Sequence, residues 1–395
     1  MKRLIIFLCV AVFGFFNLSP TLTVNANYKN SSELEKELSN SVINQIDNLD
    51  FSKLESYLID ANANFNLFNS NNISTIVKQI AQGNYFSSFS NVFEGVLNIL
   101  FGNIKQVIPL IFIIIAIAIL SSILNSLKSS NINNGVKDVI HFVCFSVVIV
   151  IIVGNITSVI SITQSTLKLM SGQMEVIFPI MLTLLTAIGG ITSVAIYKPI
   201  VSVLTSSVSL IFSKFLLPIF IVSFVFLIVG NLSSNIKLNK FNSFFASVFK
   251  WVVGFVFTLF GAFLTIQGIS AGKFDGVSIK ATKFAVKSYI PLIGGYISDG
   301  FDLILYSSVI IKNAVGVVGV ILLFLTILRP IVQILTLKFA MQLVSAILEP
   351  IGEKQISNFT SSCAKILVYP IVLMLAVAFM YLLSVGLIMT TANLI

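Results

Sequence analysis

Long apolar runs dominate the chain from residue 107 onward and predict helices that cross a membrane. A helix needs about twenty apolar residues to span the hydrocarbon of a bilayer. Six uncharged runs of that order are 107–127, 139–160, 176–197, 215–232, 251–271 and 366–390. A seventh run, 313–328, is shorter, but Lys312 and Arg329 flank it and their long side chains can reach outward to the interface.

Three further runs are too short or too interrupted to assign from the pattern alone: 199–213, 289–311 and 330–348. Each fits a tilted span, a half-helix or a helix lying in the membrane plane. We therefore predict an all-α polytopic membrane protein with about seven to nine spans, some of which could be re-entrant.

A polar region with a helical period precedes the apolar runs. Its apolar positions fall into three sets: Leu34, Leu38, Val42 and Ile46; Leu54 and Leu58; Ile73, Ile76, Val77 and Ile80. This spacing predicts three short helices with too few apolar residues to fold as a separate enzyme domain. Residues 27–106 are thus predicted to form a helical arm. Its last part, 91–106, fits either an interfacial helix or a fourth core helix of the arm.

The first residues have the three-part pattern of a secretory signal peptide. Lys2 and Arg3 precede an apolar run over 4–16, and small residues lead to a predicted cleavage after Ala26. The alternative, an uncleaved first span, requires more apolar residues than this run holds. Cleavage places the arm, 27–106, on the extracytoplasmic side and leaves 107–395 as the membrane domain.

The lysines do not settle how the spans are oriented. Cytoplasmic loops normally carry an excess of Lys and Arg. If 199–231 is one span, Lys237, Lys240 and Lys250 lie outside. If it is a hairpin, a second lysine group lies outside instead: Lys273, Lys280, Lys283 and Lys287.

Composition supports the membrane assignment and excludes a nucleic-acid binder. The chain is 56% hydrophobic and 10% charged, whereas soluble domains are about 25% charged. The net charge of +9 is scattered between apolar runs. That distribution is typical of contacts with lipid headgroups, not of a basic stripe that binds nucleic acid.

Three prolines suggest an internal duplication. Pro109, Pro218 and Pro330 each precede an apolar run, and their residue numbers differ by 109 and 112. With a repeat of ~110 residues, 176–214 and 289–329 would be equivalent halves. In transporter folds, such duplicated halves line the substrate cavity. The alternative is that apolar sequence of this composition aligns with itself by chance.

The segment 289–316 is the candidate functional site. It combines helix-breaking residues with charges inside an apolar region: Pro291, Gly294, Gly295, Asp299, Gly300, Asp302 and Lys312. Charges at hydrocarbon depth are costly unless they face a protein interior or a water-filled cavity. The segment is therefore either a re-entrant element that lines a cavity or contacts a partner, or a solvated loop between two spans.

Motifs for enzyme chemistry are missing from the sequence. The single histidine, His141, has no metal-ligand spacing, and its position near the start of a span indicates an interfacial or packed role. The stretch Gly268–Phe274 has the wrong glycine spacing for a phosphate loop, and Phe274 stands where a hydroxyl is needed. We predict no catalytic residues, no metal site and no cofactor.

Three segments resemble a known family. They are IPLIGGYISDGFDLILYSSVIIKNAVG at 290–316, LLPIFIVSFVFLIVGNLS at 216–233 and LEPIGEKQISNFTSSCAK at 348–365. With the signal peptide, arm and multi-span region, they make the chain similar to the stage III sporulation protein AE family over essentially its full length.

The resemblance implies a role in endospore formation during engulfment. Members of this family reside in the mother-cell membrane around the forespore. They join the other stage III A proteins and a forespore partner in a channel-like, secretion-related complex whose ATPase is a separate subunit. This chain would then be the non-enzymatic, permease-like component, and a homo-oligomer is compatible with that role. The residues alone leave a second hypothesis open, a self-sufficient secondary transporter that uses Asp299, Asp302 and Lys312 in a midplane cavity.

Overall fold

The computed structural model describes the backbone of residues 31–65, 72–83, 89–126, 134–232, 238–289 and 294–391. The predicted signal peptide and Pro291 lie outside these residues. The side chains of 266–301 are also outside the described part, although most of that stretch is helical backbone.

Every regular element in the described part is helical. The arm comprises α1 Ser31–Asp47, α2 Ser52–Phe65 and α3 Ile73–Ala81. The remaining elements are α4 Phe89–Ser126, α5 Asn134–Ala187, α6 Ile191–Ser207, a π-helical segment Val208–Leu216, α7 Leu217–Leu232, α8 Asn239–Tyr289, α9 Gly294–Ile351, α10 Lys354–Ile366 and α11 Val368–Thr390. The predicted all-α fold is confirmed.

Several helices are far longer than a bilayer is thick. α5, α8 and α9 contain 54, 51 and 58 residues. At about 1.5 Å per residue each is roughly 75–90 Å long, against ~30 Å of hydrocarbon. A large part of each helix must therefore lie outside the hydrocarbon.

Six stretches of the described chain are long and apolar enough to cross a membrane: Glu94–Leu124, Val139–Ala187, Ile191–Leu232, Lys240–Thr265, Asp302–Ile351 and Lys354–Thr390. The described part thus contains six such stretches, where about seven to nine spans were predicted for the whole chain. Apolar runs that look separate in the sequence are joined, because 139–160 and 176–187 belong to α5, while 313–328 and 330–348 belong to α9. The boundary predicted at 106/107 falls inside α4, so 91–106 continues directly into the first span.

The predicted duplication required all three prolines to open helices, and only one of them does. Pro218 is the second residue of α7, whereas Pro109 lies inside α4 and Pro330 inside α9. A proline removes one backbone hydrogen bond and kinks a helix, but the apolar residues on both sides continue it here. The proposed halves also differ: 176–214 contains a turn at Gly189 and enters the π-helical segment, whereas 294–329 is one uninterrupted helix.

The helix α9 is the axis of the bundle, and it contacts the arm, α4, α5, α8, α10 and α11. Gly319 shows how closely these helices approach. A Cβ added there would lie 2.9 Å from Ile177 Cδ1 on α5 and 3.0 Å from Tyr381 Oη on α11. Farther along, Gln173 Nε2 donates to Thr326 Oγ1 at 2.8 Å. Ile177 of α5 lies beside Gly319 of α9, and Gln173, earlier on α5, lies beside Thr326, later on α9. The two helices are therefore antiparallel.

The arm packs on this bundle through the apolar residues that define its helices. Eight of the ten predicted positions are buried: Val42, Ile46, Leu54, Leu58, Ile73, Ile76, Val77 and Ile80. Leu38 is half-buried, and the side chain of Leu34 lies outside the described part. Asn72 caps α3 by accepting from Thr75 N at 3.2 Å. Lys78 and Asp47, 2.6 Å apart, join α3 to α1. The three predicted arm helices are confirmed.

Candidate functional site: Lys312 and the seat of the arm

Lys312 lies in the interior of the bundle and joins three helices. Its side chain is 0% exposed, and Nζ donates to the carbonyl oxygen of Thr391, just after α11. The Thr391 hydroxyl donates to Leu387 O at 2.8 Å. Because that hydroxyl has a single proton, it must accept at 2.8 Å from Tyr197 Oη of α6. Lys312 and Tyr197 thus fasten the end of α11 to α9 and α6.

The other predicted site residues lie along the start of α9. Gly294, Gly295, Asp299 and Gly300 belong to its first two turns. Asp302 is half-buried and lies ten residues before Lys312, about 15 Å along the helix. From Gly294 onward the segment is neither a loop nor a half-helix, because α9 continues without interruption to Ile351. Glycine only weakens a helix, and packing against neighbouring helices compensates for that cost.

The arm is bound to α9 one turn before Lys312. Ser307 and Ser308 are both 0% exposed. Gln45 Nε2 of α1 donates to Ser307 Oγ at 2.6 Å, and Ser308 Oγ donates to Gln45 Oε1 at 3.0 Å. The Ser307 hydroxyl itself donates to Ile304 O at 3.0 Å, and it accepts at 3.2 Å from Ser41 Oγ. One glutamine amide therefore pairs with two buried hydroxyls.

A second contact holds the arm to α5. Tyr57 of α2 lies so close to Gly172 that an added Cβ would be 2.2 Å from its Oη. Burial raises the pKa of Tyr57, and the nearby Glu175 carboxylate raises it further. Only glycine at position 172 leaves room for the phenol.

A polar cluster around His141 closes the opposite end of the bundle. His141 Nδ1 is 3.1 Å from Ser121 Oγ, and Nε2 is 2.9 Å from Gln355 Oε1. Gln355 Nε2 donates to Asn231 O at 2.6 Å, so its Oε1 is left to accept from His141. The buried Glu353 carboxylate lies 3.7 Å from His141 Nδ1. The cluster joins α4, α5, α7 and the turn at Gly352, whose φ of 90° favours glycine.

The sequence indicated an interfacial or packed role for His141, and its side chain is half-buried in this cluster, but its partners were not predicted. Glu353 and Gln355 lie within the segment 348–365 that carried the family resemblance. Gln45 was missed as well, and its signal was a polar side chain directly beside the buried positions Val42 and Ile46. The described residues contain no group of three potential metal ligands. The chemistry at both ends is hydrogen bonding that fixes helix positions.

The family model of stage III sporulation protein AE matches residues 71–392. The chain belongs to this family. The match begins immediately before α3 and extends past the end of α11, so Lys312, His141 and their partners all lie within it. α1 and α2, with Gln45, precede it.

A curated relative agrees with the family assignment. The chain is 26% identical over 306 residues to stage III sporulation protein AE of Bacillus subtilis (strain 168), an alignment that covers 78% of this chain and 75% of the relative. No solved structure matches the chain. Membership in the family supports a role in sporulation, and the six apolar helices support insertion in a membrane.

Proposed function

We propose that this chain is the multi-pass membrane subunit of the stage III A sporulation complex, which links mother cell and forespore during engulfment. The family match over residues 71–392 carries the proposal. In this role the subunit is permease-like and non-enzymatic. Its partners are the other stage III A membrane proteins and a forespore protein, and a separate subunit supplies the ATPase.

The helix arrangement supports a scaffold that presents the arm to partners. α9 contacts the arm and most of the bundle helices, so a force or contact applied at the arm is transmitted along one continuous helix. Energy from ATP must come from elsewhere, because Gly268–Phe274 lacks the residues that bind phosphate and magnesium.

The helix connectivity also favours one orientation. The arm and the short turn at Gly189 lie at the Lys312 end, while α4, α7 and α9 end at the His141 end. The sequence that follows these helix ends is basic, with Lys128, Lys137, Lys237, Lys240 and Lys354. With the arm extracytoplasmic, these lysines are cytoplasmic, as the positive-inside rule expects. Both orientations considered from the sequence counted 139–160 and 176–197 as two separate spans. In the structure, 139–187 belongs to one continuous helix, α5.

A clean deletion in the native spore former tests this role. We expect sporulation to stop after engulfment, and a copy of the gene at a second locus to restore it. The matched control is a deletion strain carrying the family-matched part without α1 and α2, which separates loss of the arm from loss of the whole subunit. Normal spore yield from the complete deletion would overturn the proposal.

A second candidate function is a self-sufficient secondary transporter. The observation that favours it is the complete burial of Lys312, a charge that transport proteins use in coupling. Purified protein in proteoliposomes should then move a solute or protons without other subunits, and Asp302→Asn or Lys312→Met should slow it. Proteoliposomes that stay inert under ion and proton gradients remove support for this candidate.

A further inference from the structure

The exposed surface of α5 changes from apolar to polar partway along the helix. Near the His141 end, its exposed large side chains are all apolar: Val139, Phe142, Val143, Val147 and Val150. From Thr157 onward, most exposed side chains of α5 are polar: Thr157, Ser158, Ser161, Gln164, Ser165, Lys168, Glu175, Thr183 and Thr186. The exceptions are Leu169, Pro179 and Ala187. Amides and charges avoid contact with acyl chains, and the first such exposed side chains on α5 are Gln164 and Lys168. The hydrocarbon along α5 therefore ends within the hydroxyl-rich stretch 157–164, about 24–35 Å from His141.

On two neighbouring helices, basic residues interrupt the exposed apolar face at a similar level. On α4, exposed apolar side chains are continuous from Ile108 to Ile123; the exposed Lys105 and Gln106 interrupt this face, and the exposed Phe101 and Ile104 precede them. On α7, Phe215 just before it and Val222, Val225 and Val229 within it are exposed. Before Phe215 the exposed side chains are mixed: Ile191, Val203 and Leu210 are apolar, whereas Lys198, Ser202, Ser206 and Lys214 are polar or basic.

Basic side chains on five different helical segments lie near this level, and together we call them the basic girdle. It consists of Lys105, Lys214, Lys250, Lys338 and Lys365, of which all but the half-buried Lys338 are exposed. The distance of each lysine from the His141 cluster is estimated by counting residues along its helix from a residue that lies in or beside that cluster. Lys105 lies 17 residues before Ser122, and Lys214 lies 17 before Asn231. Counted in the same way, all five lie about 15–26 Å from the His141 cluster.

Trp251 lies in the girdle next to Lys250. It is the only tryptophan of the chain, it is 69% exposed, and it stacks on Phe255 with 5.3 Å between ring centroids. Tryptophan is enriched where a membrane meets water, because its ring is apolar and its N–H needs a polar partner. An exposed tryptophan beside a lysine is the expected contact with phospholipid headgroups.

From these observations we propose that the bilayer covers only the His141 half of the bundle, and that the basic girdle binds phospholipid phosphates at its outer boundary. Phospholipid fits this surface because the basic side chains can bind its phosphates and the apolar band on the His141 side can contact its acyl chains. The hydrocarbon then has about the thickness of one bilayer.

Lys312 consequently lies outside the membrane. It is 39 residues before Ile351, about 58 Å from the His141 cluster and roughly 30 Å beyond the girdle. The half of the bundle that holds Lys312 and the arm stands in water and is available to soluble domains of partner proteins. This placement goes beyond the proposed function and does not depend on it, and it argues against the transporter candidate, which needs Lys312 in a midplane cavity.

α8 departs from the pattern of its neighbours. Phe255, Leu259 and Phe263 continue its exposed apolar face past Trp251, for about 18 Å along the helix. The proposal places these three side chains beyond the hydrocarbon, so the depth of Trp251 tests it on the side where the apolar face is longest.

Quenching of tryptophan fluorescence by brominated phospholipids measures the depth directly. The full chain is reconstituted in phosphatidylcholine–phosphatidylglycerol vesicles, with bromines either near the ester end or near the terminal methyl of the acyl chain. Native Trp251 should lose more fluorescence to the bromines near the ester end. Stronger quenching by the bromines near the terminal methyl would overturn the proposal.

Two relocated tryptophans extend the test along the bundle. In a Trp251→Phe background, Phe112→Trp lies about 15 Å from the His141 cluster and Phe324→Trp about 40 Å from it. We expect the deep bromines to quench the first variant more than the shallow ones, and neither set to quench the second. Quenching of the second variant equal to that of the first would overturn the placement. If neither variant folds, native Trp251 still decides.

Discussion

Ser308 and Gln45 are 263 residues apart in sequence, yet Ser308 Oγ donates to Gln45 Oε1 at 3.0 Å. This bond joins the arm to α9 one helical turn before Lys312. A buried amide paired with two buried hydroxyls is costly to disrupt, since each partner would then lie in the interior without a hydrogen bond.

Gln45→Leu should therefore release the arm. Loss of the amide leaves Ser308 without its acceptor, at a cost of about 1–3 kcal/mol. Limited proteolysis in detergent should cut the arm faster in this variant than in the native protein. Gln79→Leu is the matched control, because Gln79 is exposed on α3. Equal cleavage rates for the two variants would contradict the described hydrogen bonds between Gln45 and α9.

Tyr57 makes arm docking sensitive to alkaline pH. Its folded-state pKa is raised above the ordinary value of 10.0, so the stabilising contribution is fully present below that value. It is lost as the pH rises through the folded-state pKa, because the unfolded or undocked arm ionises first. Proteolysis of the arm should accelerate above about pH 10. Tyr57→Phe should remove this added pH dependence; an unchanged profile would show that another group controls docking.

Gly319 is required for the close approach of α5, α9 and α11. An added side chain meets Ile177 Cδ1 and Tyr381 Oη at 3.0 Å or less. Gly319→Leu should lower the free energy of unfolding by about 1–3 kcal/mol, measured as a lower Tm in detergent. Gly254→Leu on α8 is the control, because nothing lies within 4 Å of a Cβ there. A similar Tm for both variants would mean that the helices are not packed this closely.

Gln355 should contribute to stability at the other end of the bundle. Gln355→Leu leaves His141 Nε2 and the Asn231 carbonyl without their partner, at a cost of about 1–3 kcal/mol. The exposed Gln342 of α9 provides the matched substitution, Gln342→Leu. We expect a lower Tm only for Gln355→Leu. Equal Tm values for the two variants would show that the His141 cluster does not stabilise the fold.

A substitution at Lys312 tests whether its end of the bundle contacts partners. Methionine has a similar volume but cannot donate a hydrogen bond, so the buried carbonyl oxygen of Thr391 loses its donor at a cost of about 1–3 kcal/mol. Lys312→Met should therefore lower the Tm and, if the Lys312 end contacts partners, also reduce spore formation. The exposed Lys198 of α6 gives the control Lys198→Met. Normal spore yield with Lys312→Met would leave the lysine without a role in assembly.

The sequence predicted the fold class and the arm well, because both depend on local periodicity. Val42, Ile46, Leu54 and Leu58 repeat at helical spacing and are buried. The helix lengths could not be predicted in the same way. The polar residues between Thr157 and Glu175 look like a loop between two spans, yet α5 continues through them because polar helix is stable in water when one face is packed.

The candidate site was predicted only in part. Lys312 was identified as a costly charge in an apolar run, and it is buried. Its partner Thr391 is 79 residues away in sequence, and no local pattern indicates that contact. The same holds for Gln45 with Ser308 and for His141 with Gln355, which only the tertiary fold brings together.

Purification of the tagged chain from sporulating cells tests the account most directly. Membranes taken during engulfment are dissolved in mild detergent, the arm is left intact, and co-purifying proteins are identified by mass spectrometry. The account predicts stable recovery of the other stage III A membrane proteins, with less recovery for Gln45→Leu than for Gln79→Leu. A chain that purifies alone, under conditions where those proteins are present in the same membranes, would contradict it.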